Sequence, residues 1–171
     1  MRLSAAVLLL GITIALVVFQ EEYRHLEAVL AAQLFDSGGV QTYARPDSGI
    51  VIFQLTNGKV FGLEISPECS SAFLIAPFTL IGAAMLWRKR MHPGRVAFGV
   101  ALVALLLVMA NQLRVAMIAG LIDGFGLQEG YKWGHLVLGS LLSIVFLAGS
   151  LALLLWVVAS GRSRLEPVGA R

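Results

Sequence analysis

The chain has 171 residues, 58% of them hydrophobic and 13% charged, with a formal net charge of +3 and a mean hydropathy of +0.83. A soluble domain carries about a quarter charged residues and less than half apolar ones, so this surplus excludes an ordinary water-soluble globule and makes lipid part of the solvent. A single cysteine, Cys69, excludes an intramolecular disulfide; neither a nucleic-acid partner nor a cofactor is expected.

Four apolar stretches follow in chain order: Leu3 to Phe19, Ala72 to Trp87, Val96 to Ala119 and Leu136 to Ala159. A bilayer core takes roughly 20 helical residues, and the short second stretch approaches that only when extended back to Cys69. The first stretch resembles a signal peptide in length, but Gln20-Glu21-Glu22-Tyr23-Arg24 follows it directly with no small-residue cleavage site, which favours an uncleaved helix. The cluster Arg88-Lys89-Arg90 with Arg95 marks a cytoplasmic loop. With Arg2, Arg162, Arg164 and Arg171 it collects eight of the thirteen basic residues on one side, which puts both termini in the cytoplasm. The fold expected is all-α integral membrane: a four-transmembrane-helix bundle with an extracytoplasmic insertion that contains an amphipathic helix and a β-hairpin. The organisation is 1–19 first transmembrane helix, 20–68 extracytoplasmic segment, 69–159 catalytic three-helix core, and 160–171 cytoplasmic tail.

Within the outer segment, Tyr23, Leu26, Leu30 and Leu34 fall at helical spacing between Glu21 and Phe35, so a short amphipathic helix is expected to lie with that stripe on the membrane or on the bundle. Asp36-Ser37-Gly38-Gly39 ends it. Ile50 to Leu55 and Val60 to Ile65 flank Thr56-Asn57-Gly58-Lys59, the signal for a type I′ hairpin with a two-residue loop. That register sets Thr56 opposite Lys59 and Ile52 opposite Leu63, with Ile50, Ile52, Phe61, Leu63 and Ile65 on one face.

The second strand runs into Ser66-Pro67-Glu68-Cys69. Ser66 as N-cap and Pro67 as first helical residue make Cys69 the third, where unpaired N–H groups and the partial positive charge of the helix end stabilise a thiolate. Glu68 opposes that effect. Asn111 and Arg114 share one face of the third helix, Arg114 near the outer edge of the bilayer core and Asn111 about a turn deeper. His135 opens the fourth helix at the same boundary, after the interfacial aromatics Tyr131 and Trp133. Each residue alone has a plain structural reading: Cys69 as a small buried hydrophobe, Arg114 as a snorkelling cation, Asn111 as interhelical packing, His135 as an interfacial residue. Their coincidence at one depth on one side points to chemistry. An imidazole activates a thiol, and a guanidinium stabilises the oxyanion formed by attack on an amide; the Asn111 amide is suited to orient Arg114 or bind substrate. His25 and His92 have no evident partner.

Glu68-Cys69-Ser70-Ser71, then Asn111-Gln112-Leu113-Arg114, then His135 with Gly139 four residues on, resembles the exosortase and archaeosortase family of membrane transpeptidases, over roughly Ser66 to Val158. The resemblance implies a nucleophilic cysteine with essential arginine and histidine, carried onto Cys69, Arg114 and His135. It implies substrates that are exported proteins ending in a short motif, a transmembrane helix and a basic tail, cleaved at the outer face of a prokaryotic plasma membrane. Two features depart from the family pattern: Ser71 stands where glycine often follows Cys-Ser, and larger members carry about eight helices. Three other readings compete: a non-catalytic assembly or transport accessory, a serine protease using Ser70 or Ser71, and a metal site with only Cys69 and His135 as ligands.

Overall fold

The computed structural model describes residues 2–46, 48–88 and 91–160. Lys89, Arg90, Arg162, Arg164 and Arg171 of the basic set, and residues 161–171 of the expected tail, lie outside the described residues. Helix α1 (Arg2–Val18) is apolar on almost every side and buries only Ala6 and Leu9, the pattern of a helix bathed by lipid. An 81° bend separates it from α2 (Gln20–Ser37). Three short strands follow: β1 (Thr42–Ala44), β2 (Ile50–Gln54) and β3 (Val60–Glu64). Then come α3 (Ser71–Trp87), α4 (Pro93–Phe125), α5 (Leu127–Tyr131), a π-helical segment (Lys132–Leu138) and α6 (Gly139–Ala159).

The apolar helices form a row, with α1 against α3, α3 against α4 and α4 against α6. Lipid offers no hydrophobic drive between helices, so they associate through close van der Waals packing at small residues. Gly82 and Gly99 supply this: a methyl group on Gly82 would come within 2.8 Å of Val100, and one on Gly99 within 3.0 Å of Leu154. Between α1 and α3 the Thr13 and Thr79 hydroxyls share a hydrogen bond of 2.7 Å. Ile75, Phe78, Leu86, Val103, Leu107 and Leu154 lie in the core of this region. Two helices are long and apolar enough to cross a membrane, Pro93–Phe125 and the continuous stretch Leu127–Ala159, and a third span results if α1 and α2 are taken together; α3 is apolar but shorter.

Helix α4 starts on Pro93, whose missing N–H costs nothing at a first helical position. It continues six residues past the expected end at Ala119, to Phe125, and Gly126 stops it at φ +83°. The C-terminal part of α4, from Val115 on, carries a second core. Ala28, Ala31 and Ala32 of α2, Val51 and Phe53 of β2, and Leu63 of β3 close over Val115, Ile118 and Ile122. Phe53 anchors it, tilted against Phe35 at 5.5 Å and stacked on Phe61 at 5.3 Å. Asp123 accepts hydrogen bonds from the Thr56 N–H and hydroxyl, both at 2.9 Å, and ties the tip of the β2–β3 pair to α4.

Two sequence expectations in this region are corrected. The strands pair one residue out of the expected register, with Val51 opposite Leu63 and Phe53 opposite Phe61. The loop has three residues, not two: the Gly58 N–H bonds to the Leu55 carbonyl at 2.9 Å and the Leu55 N–H to the Lys59 carbonyl at 2.8 Å. Gly58 takes the left-handed bulge at φ +78°, the usual three-residue alternative to a type I′ turn. A slip of one residue exchanges faces, so Phe61, Leu63 and Ile65 join Val51 and Phe53 rather than Ile50 and Ile52. On α2 the buried face is Glu27, Ala28, Ala31 and Ala32, while Leu26 is 64% exposed and Leu34 43%. Small alanines let the sheet and α4 approach closely, which a leucine stripe does not permit.

Candidate active site

Cys69 ends a short 3₁₀ turn, Pro67–Cys69. Ser70 then turns extended (φ −76°, ψ 139°), and its hydroxyl accepts from the Ala72 N–H as the N-cap of α3. Cys69 therefore precedes α3 instead of standing third in it. The first N–H groups of that helix are taken: Ala72 by Ser70 and Ser71 by the Glu27 carboxylate at 3.0 Å. The helix end directs its positive field at Glu27, not at the thiol.

Glu27 joins the surrounding elements. Its carboxylate accepts from the Ser70 hydroxyl at 2.7 Å, the Ser71 N–H at 3.0 Å and the Asn111 amide at 2.8 Å, and the residue is 3% exposed. Three donors around one buried carboxylate satisfy a group that is costly to bury alone. The Gln112 side chain reaches the Glu27 carbonyl at 3.5 Å, and one turn back on α2 the Tyr23 hydroxyl meets the Ser71 hydroxyl at 2.9 Å. Asn111 thus directs its amide to Glu27. Sequence reasoning passed over Glu27 as one charge among several. Its signal was an acid on an otherwise alanine face, where small neighbours mark the approach of another element.

Arg114 is 8% exposed and reaches across to α6. One of its terminal nitrogens donates to the Ser143 hydroxyl at 3.3 Å, and Ser143 donates to the Gly139 carbonyl. Among the described residues its buried Nε has no partner, so the guanidinium keeps a donor free. Gly139 provides the passage: a methyl group there would lie 2.7 Å from that Nε.

His135 sits in the π-helical segment, not at the start of a helix. The extra residue of a π turn re-aims side chains. Gly130 and Gly134 allow the segment against α4, since a methyl group on Gly130 would collide with the Leu121 carbonyl and one on Gly134 would meet Ile118 at 3.1 Å. Tyr131 stacks on the His135 ring, 5.0 Å between centroids and 7° between planes. The Cys69 Sγ lies 3.9 Å from both Nδ1 and Nε2 of that ring. Neither nitrogen points straight at the sulfur, and a small reorientation of the imidazole brings one into line, as catalytic hydrogen bonds tighten when substrate binds. Cys69, Arg114, Asn111 and His135 line one small cavity together with Leu63 and Glu64. Glu68 is held below the usual carboxylate range by its own backbone N–H and then by the Ser66 hydroxyl, so an anion stands beside the site at neutral pH. His25 contacts the Ser48 carbonyl at 3.1 Å, and His92 flanks the opposite end of α4. Among the described residues no group of three His, Cys, Asp or Glu side chains converges as metal ligands.

Long apolar helices that carry a thiol, an imidazole and a buried guanidinium around one cavity define a membrane protein with the parts for acyl transfer. A family model for the transmembrane exosortases (Exosortase_EpsH) matches residues 1–156, so the chain belongs to the transmembrane exosortase family. Exosortases are in general membrane cysteine transpeptidases of protein sorting. The match takes in α1 and the outer segment as well as the stretch that begins at Ser66. No curated protein and no solved structure matches the chain significantly.

Proposed function

We propose that the chain is a membrane-embedded cysteine peptidase and transpeptidase that cleaves C-terminal sorting signals of exported proteins at the outer face of a prokaryotic plasma membrane. The observation that carries this reading is Sγ of Cys69 at 3.9 Å from both ring nitrogens of His135, with Arg114 on the same cavity. His135 takes the thiol proton, and the thiolate adds to the scissile carbonyl. Arg114, with its free Nε donor, stabilises the oxyanion. The C–N bond breaks as His135 returns the proton to the leaving amine, which leaves a thioester on Cys69. An acceptor nucleophile or water then gives its proton to His135, attacks the thioester and restores the thiol.

The same reading assigns four spans, α1, α3, α4 and α6. The 17 residues each of α1 and α3 cover about 26 Å at 1.5 Å per residue, close to the hydrocarbon thickness of about 30 Å. The basic loop at Arg88 and Arg95 faces the cytoplasm, and α2 lies along the outer interface. The bend at its start and its exposed Leu26 and Leu34 support that position. The test is to trap the thioester. Mass spectrometry of the purified protein with a reporter that ends in a motif, an apolar helix and a basic tail should find a hydroxylamine-sensitive adduct on Cys69. Processing by Cys69→Ala equal to that of the parent, at equal membrane level, would overturn the reading.

A further inference from the structure

Strand β3 is an edge: the sheet order is β1-β2-β3. In an antiparallel pair, opposite residues alternate between bonded and non-bonded. Leu55 bonds with Lys59 and Ile65 with Gly49, so in the same register Phe61 and Leu63 bond to β2. Val60, Gly62 and Glu64 then aim their N–H and C=O groups away from the sheet. Among the described residues these groups have no partner. Proteins usually protect such an edge with proline, lysine, a bulge or a cover, and Val60-Phe61-Gly62-Leu63-Glu64 has no proline or lysine.

Across from this edge lies a groove of about 470 Å³ whose other wall is Ile122 of α4 and Leu127, Gln128 and Tyr131 of α5. The groove adjoins the cavity of Cys69, Arg114 and His135, and Leu63 and Glu64 line both. Tyr131, on the groove wall, stacks on His135. We propose that this groove binds the substrate segment that precedes its membrane helix, in extended form, as a fourth strand paired to Gly62 and Glu64; this rests on the transpeptidase reading above.

Strand addition draws affinity from main-chain hydrogen bonds and selectivity from alternate side chains. The apolar floor of Leu63, Ile122 and Leu127 selects apolar residues at every second substrate position. Direction follows as well. The tip of the β2–β3 pair is tied to Asp123, and β3 leads from there toward the level of Arg114, nine residues and about 13 Å back along α4. A substrate that enters from outside and continues into its own membrane helix runs the same way, so the added strand is parallel to β3.

The test uses the full chain in membranes with the reporter described above. Gly62→Pro removes one outward N–H and leaves the β2 ladder intact, since proline is tolerated where an edge N–H faces outward. Gly62→Ala keeps that N–H, and its methyl group meets only the side chain of Ile50, at 3.2 Å. Gly62→Pro should lower processing about tenfold or more at equal membrane level, and should fall about fivefold or more below Gly62→Ala, which adds a methyl group to the groove but keeps the N–H. In Cys69→Ala, single cysteines scanned along the reporter should form disulfides with Val60→Cys and Glu64→Cys at every second position. Positions nearer the reporter's helix should pair with Glu64→Cys. Processing by Gly62→Pro at the level of Gly62→Ala, or cross-links without a two-residue period, overturns the docking while leaving Cys69 chemistry intact; a two-residue period with reversed order overturns the parallel direction. A reporter still processed by Cys69→Ala overturns the function and the docking together.

Discussion

The two halves of the molecule are held together by different physics. In the helix row, lipid is as apolar as leucine, so large side chains such as Leu8, Phe98, Ile144 and Trp156 remain exposed at no cost. Association there depends on glycine clefts at Gly82 and Gly99, on one threonine pair between α1 and α3, and on the Arg114–Ser143 contact between α4 and α6. The cap formed by α2, the sheet and the end of α4 is built differently. It has a compact core around Phe53, a sheet pinned by Asp123, and a buried carboxylate with three donors. The candidate site lies on the seam, with Cys69 from the cap side and Arg114 and His135 from the helices. A membrane row can thus tolerate loose composition while the cap supplies the precision.

That contrast is open to direct attack. Phe53→Ala should cost the cap about 3–5 kcal/mol, and limited proteolysis in liposomes should then open residues 38–66 while the helices stay protected. Equal loss of protection in α3 and α6 would mean that the two cores are one. Glu27→Ala leaves Ser70, Ser71 and Asn111 without their acceptor, on the order of 3 kcal/mol. Thermal unfolding in detergent should fall and processing with it, because the chain segment just after Cys69 loses its tie. Gly139→Ala tests the seam from the helix side, where a methyl group 2.7 Å from both the Arg114 Nε and the Gly134 carbonyl must displace the guanidinium and the π turn that carries His135. Overpacking of this kind costs about 1–3 kcal/mol, and processing should fall further than the unfolding temperature does. Thr79→Val removes the hydroxyl pair with Thr13 along with a local bond to the Ala76 carbonyl, about 0.6 kcal/mol for the interhelical part in a membrane; a larger shift in helix association would show that the contact of α1 with α3 depends on polar groups after all.

The same contrast explains what could be read from the amino-acid string. Hydropathy marks lipid-exposed helices because every side of such a helix is apolar, so α4 and α6 were visible at once. Helix boundaries alone suggested that Cys69, Arg114 and His135 come together, and the fold brings the three around one cavity. The cap resisted. Asn57-Gly58 serves both two-residue and three-residue loops, and local sequence does not choose between them; the packing of Phe53 and Leu63 onto α4 does. The leucines of α2 offered a stripe for the membrane or for the bundle, and the alanines on its other side took the contact with the bundle. The π-helical turn at His135 has no local signature, and the alanine face around Glu27 hints at a packed side without naming the distant donors that meet the carboxylate.

Helix α4 passes through both regions without a break, and every member of the candidate site is braced on it: Arg114 directly, Glu27 and the approach to Cys69 through Asn111, and the His135 segment through the contacts of Gly130 and Gly134. It acts as a mast. When the bilayer thins, thickens or tilts the row, lipid slides along this mast, but the separation of sulfur, imidazole and guanidinium is set by a member that does not change length. The geometry of the candidate site is thereby uncoupled from membrane thickness, and processing of the reporter should be equal in bilayers of short and long acyl chains.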